Sequence, residues 1–202
     1  FLAGKGYAVL LMDDRGVGKS TGKYQYATTE DFANDALVAI GYLKKMPQIN
    51  PEKIGLIGHS EGGAASAIAA AKSANVKFII SLAGLATNGF ESLIRQNEDL
   101  VNNAALKASD RDRSNAINRL MFETAFKYAD SANMREKLDE TYCAWKKIDD
   151  SLFTLSGVKW DHFRFPIYSY TMQATGAWYR YHITFDPAKF IPKIKAPILA
   201  LS

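Results

Sequence analysis

A single cysteine, Cys143, is all the chain carries, so no internal disulfide framework can staple it. It stands close to Tyr142 and Trp145 in a stretch that predicts a helix, where a buried structural thiol is the expected role. Long apolar runs are also missing. None approaches the ~18 residues a helix needs to span a bilayer, so no membrane span is expected. Clustered charge of one sign is absent as well: the net charge is +4, with Lys and Arg scattered along the chain. Without a basic face interleaved with aromatics, nucleic acid is not an expected partner. The three histidines, His59, His162 and His182, have no metal-ligand spacing, so neither a metal nor another cofactor is expected. Internal repeats and low-complexity segments are absent. So is an initiating methionine: Phe1 leads almost at once into strand-like sequence, and the 202 residues read as the interior of a longer polypeptide. What remains is ordinary globular composition, 48% hydrophobic and 23% charged, enough for one domain carrying an insertion.

The most informative stretch is Lys53 to Gly63, KIGLIGHSEGG. Ile54 to Ile57 predicts a buried strand, and Glu61 through Ala71 a helix of small residues. Between them lies Gly58-His59-Ser60-Glu61-Gly62, a G-x-S-x-G in the strand–turn–helix setting of a nucleophile elbow. On such a turn the serine backbone is strained, and residues lacking a Cβ leave room two positions either side. Ser60 is the candidate nucleophile. The backbone N–H of Glu61, at the start of the following helix, is the candidate oxyanion donor. An acidic side chain at a helix N-terminus needs no catalytic role. Gly63 and the run Ala64, Ala65, Ala67, Ala69 and Ala70 would let that helix approach the sheet closely.

Taken in order, the chain alternates. Tyr7 to Met12 predicts a strand covered on both faces. Thr28 predicts a helix cap, with Asp31 three residues on and a buried stripe of Phe32, Ala36, Ala39, Ile40 and Leu43. Pro47 and Pro51 end that helix. Val76 to Leu82 predicts another strand, and Pro197 to Leu201 a last one. The α/β alternation implies a parallel sheet. From about Asn88 to Tyr181 the pattern is helical and amphipathic instead. Its predicted stripes are Leu93, Leu100 and Val101; Ile117, Leu120, Met121 and Phe126; and Leu138, Tyr142 and Trp145. The division is therefore residues 1–85 as core, 86–190 as a helical cap, and 191–202 as the return to the sheet.

One motif misleads. Gly16-Val17-Gly18-Lys19-Ser20-Thr21 resembles the end of a phosphate-binding loop, but Asp13 stands where that motif needs its first glycine. A carboxylate is a poor neighbour for phosphates, which argues against a nucleotide site.

Three stretches together resemble the α/β-hydrolase superfamily. They are Asp13-Asp14-Arg15-Gly16-Val17-Gly18-Lys19-Ser20-Thr21-Gly22, the elbow from Lys53 to Gly63, and Trp178-Tyr179-Arg180-Tyr181 followed by Asp186-Pro187. The return into Lys195-Ala196-Pro197-Ile198-Leu199 fits as well. More narrowly, the chain is similar to bacterial serine hydrolases of the esterase and prolyl-oligopeptidase-like kind. The resemblance implies an α/β-hydrolase fold with an inserted helical cap, truncated at both ends, acting on a small-molecule ester or peptide substrate without a cofactor. It implies structural support from Asp13 and Arg15, though a charged pair in a solvated turn fits the same residues. It also implies a triad order of Ser, then acid, then His, which places acid and base beyond Ser202 and the second oxyanion donor before Phe1. A non-catalytic binding protein of the same fold is the alternative. His59, His162 and His182 are poor candidates for the base: the first adjoins Ser60 on the turn, the others sit among aromatics. Trp160, Phe163, Phe165, Tyr168, Tyr170, Trp178 and Tyr181 suit either a pocket lining or the core of the cap itself.

Overall fold

Three short apolar runs pair into a parallel sheet, β1 (Leu56–His59), β2 (Ile79–Leu82) and β3 (Ile198–Leu201), in the order β1-β2-β3. Leu56 lies opposite Ile79, and Ile79 opposite Ile198. Parallel neighbours cannot be joined by a hairpin and need a crossover. Helix α2 (Glu61–Lys72) provides it between β1 and β2. Its buried residues Gly63, Ala64, Ala65, Ala69 and Ala70 form a face of small residues around Ile68, so the helix packs closely on the strands. Ile68 is wholly buried there, and Ile79 on β2 nearly so. Helix α1 (Thr29–Leu43) packs on α2 through Ala33 and Ile40.

The computed structural model describes residues 1–201. Two compact units divide the chain, Phe1–Ala86 with Asp186–Ser202, and Thr87–Phe185. The first is the mixed α/β unit just described, a small parallel sheet with helices of the α/β-hydrolase kind. Its α1 begins as its sequence predicts. Thr28 accepts from the Asp31 amide, and Asp31 accepts in return from the Thr28 amide at 2.9 Å, a complete capping box.

Two strand expectations need correction. Tyr7 to Met12 forms no strand. An extended run becomes a strand only when a neighbour accepts and donates its backbone hydrogen bonds, and this one pairs with no strand among the described residues. Leu11 is 88% exposed there. The elbow strand starts two residues later than predicted, because its ladder opposite β2 begins at Leu56. Ile57, Leu199 and Leu201 are exposed, each by about half.

The second unit is all helix: α3 (Gly89–Asn103), α4 (Ala108–Lys127), α5 (Met134–Leu155), α6 (Ile167–Ala174) and α7 (Ala177–Ile183). Its core gathers Ile117, Met121, Phe122, Ala125, Met134, Leu138, Ala174, Tyr179 and Ile183. Leu100, Leu120 and Phe126, predicted for the buried stripes, are at least partly exposed, while Phe122 and Ala125 take the inner face of α4. Cys143 is exposed, contrary to the buried thiol expected. The inward face of α5 runs through Leu138, Tyr142, Trp145 and Asp149 at helical spacing, which turns Cys143 away from it. No helix among the described residues is long and apolar enough to cross a membrane.

Candidate active site

The elbow is visible in the backbone. Ser60, between the last residue of β1 and the first of α2, has φ 53° and ψ −115°, a conformation that disfavours any residue with a Cβ. The turn is tied on both sides. The Ser60 amide donates to the Leu82 carbonyl at 2.9 Å, extending the β1–β2 ladder by one rung. The Gly63 amide donates to the Ser60 carbonyl at 3.0 Å and closes the turn. Ser60 itself is exposed.

The two glycines of the motif are not equivalent. A Cβ at Gly58 would collide with the Gly62 carbonyl and the Gly63 amide, so the turn can close only around a residue without one. A Cβ at Gly62 would meet nothing within 4 Å. Gly63, outside the motif, is the second demanding position: a Cβ there would stand 2.7 Å from Gly84 Cα and 2.8 Å from Ser81 Oγ. Ala83, at the end of β2, also has positive φ, 46°. The chain therefore leaves both strands beside the elbow through left-handed turns.

Glu61 opens α2, where its N–H lies at the positive end of the helix. Its side chain turns elsewhere. Oε1 accepts from Thr29 Oγ1 at 2.7 Å, and Thr29 is 2% exposed at the first turn of α1. That bond is invisible in the sequence, since the two residues are 32 positions apart.

The Asp13–Gly22 loop supports the same unit. Arg15 donates bidentately to Asp35 at 2.8 Å through Nε and Nη2. It also donates to the Asp31 carboxylate at 3.0 Å and to the Asp31 carbonyl at 3.1 Å. These bonds, Asp35 first, hold the guanidinium pKa above its ordinary value. Burial alone would raise the Asp31 pKa, but the Thr28 and Arg15 contacts outweigh it and hold the carboxyl below its usual range. Arg15 thus fastens the loop to α1. Asp13 closes the loop on itself: its carboxylate accepts from the Lys19 amide at 3.1 Å, and its carbonyl from Ser20 Oγ at 2.8 Å. The amides of Gly16, Val17 and Ser20 donate to Thr21, Asp14 and Val17. The N–H groups of Gly16, Val17, Lys19 and Ser20 are thus bonded within the loop, which serves as a bracket.

Of the histidines, His59 is exposed and next to Ser60, while His162 and His182 belong to the helical unit. His182 is 8% exposed and stacked on Trp178 at 4.7 Å. In that unit Asp149, Asp150 and Asp161 lie close enough to hold a metal, but Arg113 stands among them. It donates to Asp149 at 2.5 Å and Asp161 at 2.7 Å and stacks on the Phe163 ring at 4.4 Å. Those bonds hold the Asp161 carboxyl down to about 2. Phe163, Phe165 and Tyr170 both pack on the core and line a cavity of about 310 Å³ with Asn97, Asn118 and Arg164. Trp160 and Tyr168 are exposed.

The thiohydrolase aneE of Aspergillus aculeatus is 36% identical over 106 residues, 48% of this chain and 33% of that protein. The chain thus spans about a third of the length of this curated relative. The family described as X-Pro dipeptidyl-peptidase (S15 family) matches residues 2–156, which include α1, the elbow and most of the helical unit. The chain belongs to that family, hydrolases of the α/β-hydrolase type.

Proposed function

We propose that this protein is a serine hydrolase that works through an acyl-enzyme on Ser60. The hydroxyl oxygen attacks an acyl carbonyl carbon while a histidine takes its proton. The carbonyl oxygen becomes an oxyanion facing the Glu61 N–H. The leaving group departs with the proton, and water then releases the acyl group by the same steps. The observation that carries this reading is a serine, exposed at the end of a parallel strand and the start of a helix, in a backbone conformation that residues with a Cβ avoid. One such serine serves esters, amides and thioesters alike, because only the leaving atom differs. That breadth accommodates both a family described as a peptidase and a relative named a thiohydrolase.

On this reading, sequence beyond residue 202 supplies the acid and the base. His59 adjoins the nucleophile, His162 is exposed and His182 is packed on Trp178. Residues 1–202 by themselves should therefore turn over no ester. Residues 1–85 and 191–202 form the hydrolase core, and the helical block 86–190 is the inserted cap.

The test is a fluorophosphonate probe on the full-length natural protein, followed by intact-mass and peptide analysis. One adduct on Ser60, absent from Ser60→Ala, is expected. A wild-type protein that takes no adduct, or a Ser60→Ala protein that keeps it, overturns the proposal and favours a hydrolase fold that binds without catalysis.

A further inference from the structure

The strain at Ser60 raises the question of what holds it, since a backbone in such a region persists only where its surroundings over-determine it. On the strand side, the ladder bond from Ser60 to Leu82 does so. On the helix side, the Gly63 bond closes the turn but reaches only the turn itself. From the residue after the nucleophile, a tie to another element is the 2.7 Å bond that Thr29 Oγ1 donates to Glu61 Oε1.

We propose that Thr29 is a positioning residue for the nucleophile elbow, anchoring Glu61 to α1 so that the Glu61 N–H keeps its place beside Ser60. The inference rests on Ser60 being the nucleophile. Three further features make Thr29 a firm anchor. It is 2% exposed, so water does not compete for its hydroxyl. The acceptor is a carboxylate, which makes the bond stronger than one between neutral groups. The helix start that carries Thr29 is itself fixed: Thr28 and Asp31 cap it, and Arg15 grips Asp31 and Asp35 one and two turns along. A continuous path of polar bonds therefore runs from the Arg15 loop through α1 to the residue that follows the nucleophile. Neither ion-pair counting nor motif matching would select Thr29, because it lies outside every motif and carries no charge.

The test uses the full-length protein with two readouts, the fluorophosphonate labelling rate at Ser60 and turnover of p-nitrophenyl acetate. Thr29→Val removes the hydroxyl and keeps the shape. It should lower both the labelling rate and kcat by about tenfold with KM within about twofold, the pattern of a contact that matters in the transition state. Thr29→Ser should restore most of the loss. Glu61→Ala should produce the same loss from the other partner, and the double variant should be no slower than either single one. Circular dichroism and melting temperature check that each variant is folded. Should Thr29→Val be unfolded at the assay temperature, Thr29→Ser and Glu61→Ala carry the test, because near-wild-type rates in the first and a tenfold loss in the second are still required. Wild-type rates in folded Thr29→Val or Glu61→Ala overturn the inference, as does a Thr29→Ser variant as slow as Thr29→Val. If wild-type protein itself is not labelled at Ser60, the nucleophile assignment fails first and the anchor has nothing to position. If Ser60 is labelled and Thr29→Val changes nothing, only the anchor fails.

Discussion

Holding Ser60 at φ 53° costs about 1–3 kcal/mol relative to an ordinary backbone region. That cost is localised by the glycines around it, and they differ in what they tolerate. At Gly58 an added methyl would strike backbone atoms that cannot rotate aside. Overpacking of this kind costs about 3 kcal/mol at the upper end of the usual range. Gly58→Ala should therefore lower the melting temperature by about 6 °C or more. Gly62→Ala faces open space and should melt within about 2 °C of the wild type. Thermal melts followed by circular dichroism would check the pair, and equal melting temperatures would show that the turn does not depend on the close approach at Gly58. The motif names both glycines alike. Only the folded turn separates a position where backbone crosses backbone from one that faces outward.

At the scale of elements, α1 emerges as the support of the elbow. Sequence predicted its cap and its stop, since a Thr–x–x–Asp box and two prolines act within a few residues of themselves. Removing the cap with Thr28→Ala deprives the Asp31 amide of its acceptor and should cost about 1 kcal/mol, or ~2–4 °C in melting temperature. Because Asp31 is also gripped by Arg15, the loss belongs to the helix start and not to the loop alone. A melt unchanged in Thr28→Ala would mean that Arg15 alone suffices to fix this helix end. The strand expectation for Tyr7–Met12 failed at this same scale. Apolar composition can nominate a strand, but hydrogen-bond partners make one, and none pairs with it among the described residues.

Across the whole molecule, the two units rest on different physics. The α/β unit is held by close packing of small residues against short strands. The helical unit is held by an apolar core with aromatic neighbours and by Arg113 clasped between Asp149 and Asp161. The second arrangement has a pH signature. Arg113 keeps the Asp161 carboxyl near 2 in the folded state, against about 3.9 in an unfolded chain. A depressed folded value contributes stability that is fully present above the unfolded value and is lost as pH falls through the folded one. The helical unit should therefore lose stability between about pH 4 and pH 2. All three tryptophans, Trp145, Trp160 and Trp178, belong to that unit, so intrinsic fluorescence follows it selectively. Asp161→Asn should flatten this acid transition, and an unchanged transition midpoint in that variant would remove Asp161 from the account.

The sequence by itself determined the α/β class, the strand–turn–helix around Ser60, the helix cap and the helical character of the central block. Each of these is written in neighbouring residues, as a short motif or as a period of 3.6. Tertiary structure decided what those patterns touch. It placed Thr29 against Glu61 across 32 positions and Arg15 against Asp35 across 20. It turned Cys143 outward from a helix whose other face is buried, and filled a would-be metal cluster with Arg113. Local patterns are legible because their energies depend on neighbours in the chain. Contacts between distant residues depend on which surfaces meet, and that is fixed only when the elements pack.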